Sequence, residues 1–383
     1  MQYRKFGKLD WRVSVLGFGA MRLPLIDNNP ANVDVPEAIR MMRYAIDHGV
    51  NYVDTAYPYH EGRSEVVVEQ ALRDGYREKV KLATKLPSWL IETTRDCDRY
   101  LDEQLKRLQV NKIDCYLLHG LDKKHWTKLR DLNIFRWAER AMVDGRIAHL
   151  GFSFHDEFPV FKEIVDAYDN WTLCQIQYNY MDVNYQAGTR GLHYAASKGL
   201  AVVVMEPLRG GGLTRKPPHS IANLWASAPL KRTPVQWGLL WVWNHPEVSL
   251  ALSGMSQMEQ VLDNVTIADS SRPNMLTAEE LALIERVREA YCRISPVPCT
   301  GCGYCMPCSN GVQIPRILEL YNDAVTYDDI PPSRFRYCGP PGLKEEERAD
   351  RCLDCGDCVE ACPQNIPIPE WLKKAHELLG PTK

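Results

Sequence analysis

Eight of the thirteen cysteines in this chain lie in two short runs near its end. The second run has the spacing C-x2-C-x2-C-x3-C-P, which places thiolates around an iron–sulfur cluster. Two such runs predict two 4Fe–4S clusters and hence electron transfer. Zinc is the alternative metal, because C-x2-C pairs also bind it, but eight cysteines in groups of four favour iron–sulfur. The predicted ligands are Cys299, Cys302, Cys305 and Cys308 in the first run, and Cys352, Cys355, Cys358 and Cys362 in the second, which Pro363 follows.

A second group of polar residues suits hydride transfer to a carbonyl compound. Asp54, Tyr59, Lys85 and His119 lie at or just beyond the ends of three predicted strands. Hydride addition leaves an alkoxide, and a tyrosine hydroxyl with a pKa of about 10 can supply its proton if a neighbouring ammonium lowers that pKa. Asp54 would keep Lys85 charged, and His119 would orient the carbonyl oxygen. Taken alone, each of these residues is more often a solvated or structural side chain, but four with complementary roles favour catalysis.

The elements that must position these residues form an alternating pattern over the first 290 residues. Eight apolar, β-branched segments are separated by amphipathic segments of helical period, such as 36–48 and 98–108. This order predicts a (β/α)8 barrel, whose active site lies at the C-terminal ends of the strands. A doubly wound open sheet is the alternative, but no G-x-G-x-x-G follows the first strand. The predicted strand segments are 13–20, 51–56, 80–87, 114–120, 147–154, 173–179, 200–207 and 249–255.

The ends of the chain add two smaller expectations. Tyr3–Phe6 and Trp11–Val13 flank a turn and predict a hairpin at the bottom of the barrel. The sequence Ser-Pro-Val-Pro at 295–298 breaks the chain, so we predict one domain over 1–291 and a second over 292–383. A proline turn and a helix follow each cysteine run, which is typical of an α-helical ferredoxin-like domain.

Composition and charge exclude several classes of protein. The net charge of −3 gives no reason to expect nucleic acid or an anionic membrane as a partner. The first residues lack the apolar core of a secretory signal, and no apolar run approaches the length of a membrane span. We therefore expect a cytoplasmic protein, in which so many cysteines indicate metal binding or catalysis rather than disulfides. Oligomeric state and the physiological substrate are not predicted.

Residues 1–290 resemble the aldo/keto reductases. The stretch Asp54-Thr-Ala-x-x-Tyr59, with Lys85 and His119, is similar to the catalytic tetrad of that family. The resemblance implies a (β/α)8 barrel that binds NAD(P)H without a Rossmann motif and acts on a small-molecule carbonyl or alcohol. Further matching stretches are Gly17-Phe-Gly-Ala-Met-Arg-Leu-Pro24, Gly145-Arg-Ile-x-x-Leu-Gly-Phe-Ser153, Gln175-x-x-Tyr-Asn179 and Glu206-Pro-Leu208.

The same resemblance implies where the cofactor binds. Gln175 would hydrogen-bond the nicotinamide carboxamide, helped by Ser153, and Met205 would pack on the ring. The glycine-rich segment after the seventh strand would run along the pyrophosphate, because glycines let backbone N–H groups approach phosphate oxygens. The other implied contacts are Gly19, Ala20 and Met21 at the first strand, and Pro207, Leu208 and Gly210 after the seventh.

The segment after the eighth strand bears on the choice between NADH and NADPH. Gly254 and Gln260 occupy places where many NADPH-using members of the family carry basic residues. Asp263 and Asn264 match the Glu-Asn pair that meets the adenine. Without basic residues a 2′-phosphate loses charge-assisted hydrogen bonds, so NADH is favoured.

The C-terminal segment resembles the α-helical ferredoxin module, and the whole chain resembles the iron–sulfur-containing branch of the aldo/keto reductases. In two-cluster ferredoxins the fourth cysteine of each run serves the other cluster. That rule would place Cys362 on the cluster of the first run and Cys308 on the cluster of the second. The first run departs from the ferredoxin pattern, because it ends in C-x2-C and is followed by Ser309 instead of proline. A ferredoxin or another electron-transfer protein is the implied partner. In an alternative function, the barrel is only a nicotinamide-binding module of a redox-partner or sensor protein, and the clusters are the working element.

Overall fold

In the computed structural model, the eight predicted strand segments form a closed, parallel barrel. The structure describes residues 1–27, 29, 31–299, 303–339, 342–362 and 364–381. Each predicted segment coincides with or overlaps one barrel strand, and neighbours in the chain are neighbours in the barrel, so the predicted fold class is confirmed. The barrel strands are β3 (Leu16–Gly19), β4 (Tyr52–Asp54), β5 (Lys81–Leu86), β6 (Ile113–Leu121), β7 (Ile147–Phe154), β8 (Leu173–Gln177), β9 (Ala201–Met205) and β10 (Val248–Ser253).

The predicted hairpin is also present, as β1 (Tyr3–Phe6) and β2 (Leu9–Ser14), and it covers the N-terminal end of the barrel. Phe6 is fully buried in a cluster with side chains of six barrel strands. Gly7 in the hairpin turn has a φ of +55°, and a Cβ there would lie 2.5 Å from the Ala201 nitrogen. Only glycine fits this close approach of turn and barrel.

Amphipathic helices connect the strands, as their period predicts. Helix α1 begins next to Pro36, and the Asp34 side chain caps it by accepting a hydrogen bond from the Glu37 nitrogen at 3.2 Å. The α-helices of the described residues are α1 (Val35–Asp47), α2 (Ser64–Ala71), α3 (Thr94–Leu108), α4 (Lys123–Asp131), α5 (Ile134–Val143), α6 (Phe158–Asp166), α7 (Gly188–Ser197), α8 (His219–Ala226), α9 (Pro234–Asn244), α10 (Met258–Ser270), α11 (Ala278–Ile294), α12 (Ile314–Thr326), α13 (Ile330–Cys338), α14 (Asp357–Glu360) and α15 (Ile368–Leu379). Short 3-10 turns occur at Tyr59–Gly62, Arg77–Lys79, Ser88–Leu90, Arg209–Thr214, Glu345–Glu347 and Ala349–Arg351.

By its internal contacts the chain divides into two compact units. The first contains Met1–Leu213 and Thr233–Thr277, which include the whole barrel. The second contains Thr214–Arg232 and Ala278–Lys383. Helix α11 and the segment 214–232 therefore group with the cysteine-bearing region, whereas the domain boundary at 291 and 292 stays a prediction.

The second unit has its own small core. Helices α12, α13 and α15 pack on one another around buried apolar side chains such as Ile317, Leu320 and Leu372. Helix α8 packs on α11, and Arg215 forms an ion pair with Asp323 on α12 at 2.7 Å. Helices α12 and α15 are the two predicted after the cysteine runs.

None of the helices in the described part of the chain has the length and apolar character needed to cross a membrane.

Candidate active site and cluster-binding cysteines

The four residues of the predicted tetrad meet at the C-terminal mouth of the barrel, and Lys85 lies at their centre. Its side chain is fully buried at the end of β5. The Lys85 Nζ donates to Asp54 Oδ1 at 2.6 Å, to the Thr55 carbonyl oxygen at 2.8 Å and to the Tyr59 hydroxyl at 3.5 Å. The rings of Tyr59 and His119 stand edge to face, with 5.9 Å between their centroids. The structure thus brings together four residues from three strands and one loop.

Burial and charge set the protonation states of these groups. Burial lowers the pKa of Lys85, but the charge of Asp54 and the hydrogen bonds to Asp54 and Tyr59 outweigh it, so that the net shift is upward. Burial raises the pKa of the Tyr59 hydroxyl, and Lys85 opposes this shift. The lowering by lysine that the sequence predicted is therefore present but smaller than the effect of burial. Lys85 is charged and Tyr59 is protonated at neutral pH, which is the state that a proton donor needs.

His119 is held in its neutral form. Burial, and then the positive charge of Lys85, place the pKa of its imidazole well below the usual range. Its buried Nδ1 has no hydrogen-bond partner among the described residues. The ring of Trp89 lies 5.1 Å from that of His119, centroid to centroid. Trp89 was not among the predicted site residues; it stands in a short 3-10 turn just beyond β5.

The predicted nicotinamide contacts lie on the neighbouring strands β7, β8 and β9. Gln175 is buried on β8; its Nε2 approaches the Met205 sulfur at 3.8 Å, and its Oε1 is buried without a partner among the residues described. An amide oxygen left without a donor suits the –NH2 of a carboxamide, so these residues fit a nicotinamide. Ser153 is buried on β7 and accepts a hydrogen bond from the Gly120 nitrogen at 2.8 Å. Ser153 thereby fixes the backbone just after His119.

The glycine-rich segment after β9 has an unusual backbone. Glu206 and Arg209 have φ values of +56° and +51°, and Gly210 and Gly211 also have positive φ. Left-handed backbone at residues other than glycine is strained and occurs often at ligand sites. The segment begins with Pro207 and Leu208, the other residues predicted to follow the pyrophosphate.

Arg22 is a charged residue at the mouth; it lies in the matching stretch Gly17–Pro24 but had no predicted role. Its guanidinium forms an ion pair with Glu206 at 3.1 Å and approaches the Gly210 carbonyl oxygen at 3.4 Å. A Cβ on Gly254 would lie 3.0 Å from the Arg22 side chain, so the glycine leaves room for it. The only sequence signal was its place three residues after Gly19 at the end of β3. Ala20 is buried there, and Met21 is exposed.

Of the residues predicted at the adenosine end, Gly254 precedes α10, and Gln260, Asp263 and Asn264 lie within it. The Gln260 side chain accepts a hydrogen bond from the Ser256 nitrogen at 2.8 Å and so closes the turn before the helix. Asn264 is buried and donates to the Ser253 hydroxyl at 3.0 Å, whereas Asp263 is exposed. Their roles in adenine binding stay predictions.

The described cysteines of the two runs lie in the second unit, and all except the exposed Cys355 are half-buried. Cys302 and Pro363 fall outside the described residues. Burial raises the pKa of Cys358, and the nearby thiols of Cys352, Cys355 and Cys308 raise it further. Those four are the residues that the crossed assignment places on one cluster.

Backbone contacts join the same two parts of the chain. The Gln313 nitrogen donates to the Glu347 carbonyl oxygen at 3.0 Å, and the Asn310 side chain donates to the Arg351 carbonyl oxygen. The end of the first run therefore lies beside the start of the second. Among the described residues, no three His, Cys, Asp or Glu side chains form a site for a single metal ion. A cluster spans more space than one ion, and the thiol chemistry and crossed proximity fit it.

Known protein families match both the barrel region and the cysteine-rich region of the chain. Residues 15–289 match the model of the aldo/keto reductase family, and residues 298–366 match that of the 4Fe-4S dicluster domain. The uncharacterized oxidoreductase YrpG of Bacillus subtilis is 25% identical over 71% of this chain and 92% of its own. A probable aldo-keto reductase of Glycine max is 31% identical over 39% of this chain and 44% of its own.

Solved structures give the same result for the barrel. The holo form of an aldo-keto reductase from Bacillus halodurans has a TM-score of 0.63 and 29% identity over 75% of this chain and 96% of its own. An aldo-keto reductase from Klebsiella pneumoniae in complex with NADPH has a TM-score of 0.60 and 26% identity over the same shares. The resemblances drawn from the sequence motifs are confirmed.

Proposed function

This chain belongs to the aldo/keto reductase family and carries a 4Fe-4S dicluster domain, and we propose that it interconverts a carbonyl and an alcohol with NAD(P)H. The observation that carries the proposal is the buried Lys85, with its ammonium bonded to Asp54 and within 3.5 Å of the Tyr59 hydroxyl. A lysine on the surface would have its charge solvated by water and would not need a carboxylate partner. Burying a charge is costly unless it is paired, and here the pair stands at the catalytic end of the barrel.

The residues of the mouth divide the work of the reaction. A bound nicotinamide supplies or accepts the hydride. Tyr59 holds the proton that the alkoxide oxygen takes, and Lys85 stabilises the phenolate left behind. Neutral His119 donates a hydrogen bond to the carbonyl oxygen and orients it. Trp89, which packs near His119, excludes water from one side of the reacting oxygen.

The test of this function is a screen with anaerobically purified protein. Oxidation of NADH and NADPH is followed at 340 nm against a panel of aliphatic and aromatic aldehydes and ketones, and reduction of NAD⁺ against the corresponding alcohols. Saturable turnover with any member supports the proposal. Absence of turnover across the panel with both cofactors would contradict it.

We expect Gln175→Leu to weaken NADH binding about tenfold, because one hydrogen bond of roughly 1–1.5 kcal/mol is lost. The buried and unpartnered Oε1 of Gln175 is the reason for the expectation. Binding is measured by quenching of tryptophan fluorescence. Gln70→Leu, on α2 away from the strand ends, is the control and should bind NADH normally; unchanged affinity in Gln175→Leu would remove the residue from the cofactor site.

We also expect NADH to bind more tightly than NADPH. Gly254 has no side chain, Gln260 is bonded to the turn at Ser256, and Arg22 is paired with Glu206. None of Gly254, Gln260 and Arg22 therefore offers an unpaired cation to a 2′-phosphate. Titration with both cofactors decides the matter. Tighter binding of NADPH by tenfold or more would be the contrary result and would identify Arg22 as the first residue to replace.

The cysteine-rich unit is proposed to bind two 4Fe–4S clusters and to exchange electrons with a ferredoxin or a similar partner. Cys299, Cys302, Cys305 and Cys362 would hold one cluster, and Cys352, Cys355, Cys358 and Cys308 the other. Clusters carry single electrons, whereas a nicotinamide exchanges two as a hydride. The two activities are therefore assayed separately, with carbonyls for the barrel and one-electron dyes for the clusters. A cytoplasmic location stays a prediction from the sequence.

A further inference from the structure

Behind the tetrad, a network of buried side chains joins α2, β5 and α3. Its centre is the carboxylate of Glu65, which is fully buried. Glu65 Oε1 accepts hydrogen bonds from the Thr84 hydroxyl and from Gln104 Nε2, both at 2.7 Å. Thr84 and Gln104 are also fully buried. A buried carboxylate is tolerated only where such bonds and a countercharge compensate its lost hydration.

One arm of the network ends on the catalytic lysine. Gln104 Nε2 also donates to the backbone carbonyl oxygen of Lys85 at 3.0 Å. The Tyr116 hydroxyl donates to Gln104 Oε1 at 2.6 Å, which fixes the orientation of the amide group. Thr84, the residue before Lys85, is held by Glu65 itself. The end of β5 is thus tied to helix α3.

The other arm ends on the loop that carries Tyr59. Arg107 supplies the countercharge, with its Nη1 3.2 Å from Glu65 Oε2. The same guanidinium approaches the carbonyl oxygens of Tyr57 and Gly62 at 3.4 and 3.5 Å, and it lies 4.2 Å from the centre of the Tyr57 ring. Tyr59 lies between those two points of attachment.

The loop needs such support because its backbone is strained. His60 and Glu61, directly after Tyr59, have φ values of +52° and +54°. Left-handed conformations at such residues cost on the order of 1–3 kcal/mol each and persist only where the surroundings hold them.

We propose that Glu65 and Gln104 are positioning residues that hold Lys85 and the Tyr59 loop at their working separation through this network. The proposal rests on the proposed function for its catalytic consequence. Neither residue has a described contact with the Tyr59 hydroxyl or the Lys85 ammonium, so they act through Lys85's backbone and through Arg107. At 3.5 Å the contact between Lys85 and Tyr59 is already long, and a further displacement weakens it steeply.

The first test replaces Gln104 by leucine, a change of similar size that alters no charge. We expect kcat for reduction of an aromatic aldehyde to fall about tenfold or more, with the NADH dissociation constant unchanged. Leu101→Ala is the matched control, because Leu101 is fully buried on the same helix and has no polar link to Lys85. It should lower the melting temperature at least as much and leave kcat of the folded enzyme unchanged. Parallel losses of kcat and stability in both variants would overturn the proposal.

The second test does not depend on turnover. Difluorotyrosine is incorporated at position 59, and its ionisation is followed by ¹⁹F NMR in wild type, Gln104→Leu and Leu101→Ala. The charged and titratable groups facing Tyr59 are Lys85, Asp54, Glu206 and His119, and none of them is changed in these variants. If Lys85 moves away in Gln104→Leu, it lowers the pKa of residue 59 less, so that pKa should rise by about one unit.

Arg107→Met provides a second variant on the opposite arm, in case Gln104→Leu does not fold. This substitution frees the loop that carries Tyr59, so residue 59 should move away from Lys85. Its pKa should therefore rise, as in Gln104→Leu. An unchanged or lowered pKa in the variants that fold would overturn the proposal. If wild type reduces no carbonyl compound, the proposed function fails, whereas the NMR result still decides whether the network positions Lys85 and Tyr59.

Discussion

Replacing Tyr59 by phenylalanine is expected to lower the rate of carbonyl reduction by about 10²–10⁴-fold. The substitution removes one hydroxyl and keeps the ring that faces His119 at 5.9 Å. Lys85 remains paired with Asp54 at 2.6 Å, so the mouth of the barrel keeps its charge balance. Affinity for the cofactor should therefore change little. Steady-state rates and NADH titrations on the same preparation separate the two effects.

Tyr76→Phe is a suitable control for this experiment. The Tyr76 hydroxyl donates to Asp47 on the exposed surface at 2.8 Å and has no role at the mouth. Turnover of Tyr59→Phe close to that of Tyr76→Phe would show that Tyr59 is not the proton donor. Absence of carbonyl turnover in wild type and Tyr76→Phe alike would instead favour the alternative in which the barrel only binds nicotinamide and the clusters are the working element.

Anaerobically prepared protein is expected to contain about eight irons, four for each predicted cluster. Cys308→Ser should damage mainly the cluster of the second run, because Cys358 has Cys308 among its thiol neighbours. Cys362→Ser should damage mainly the cluster of the first run. Each variant is expected to lose up to half of the iron, and EPR spectra of the reduced protein should show which cluster remains.

Cys338→Ser is the control for the cluster variants. Its sulfur lies 3.3 Å from the Arg334 carbonyl oxygen within α13, and no metal role is assigned to it. Full iron content is expected in this variant. If Cys362→Ser spares the cluster of Cys299, Cys302 and Cys305, the crossed ligation is wrong. Zinc in place of iron in the wild type would remove the electron-transfer function and leave the barrel as the working part.

Local patterns in the sequence predicted the barrel, which is confirmed, and the four tetrad residues, which the structure brings together. A strand of a parallel barrel is buried on both faces and so forms a short apolar run, which the sequence shows eight times. Once those runs are aligned, Asp54, Lys85 and His119 fall at their C-terminal ends, where a barrel has its active site. The cysteine runs could also be recognised from the sequence, because cluster ligation depends on the spacing of cysteines within a few residues.

The tertiary structure decided which other side chains and backbone groups contact these residues. Ser153 was predicted to meet the cofactor, and the structure shows in addition that its hydroxyl holds the backbone after His119. Arg22 and Glu206 are 184 residues apart in the chain, and only closure of the barrel between β10 and β3 brings them together. No period or spacing in the sequence contains such a contact.

The same reason explains what was missed around Glu65 and in the second unit. Glutamate is seldom fully buried, yet Glu65 on α2 is fully buried because α3 packs over it and supplies Gln104 and Arg107. The segment 214–232 comes soon after β9 in the chain, yet its contacts place it with α11 and α12. Sequence determined the elements and the residue types at their ends, since both can be read from neighbours along the chain. Burial and pairing depend on which elements come together in space, and only the folded chain decides that.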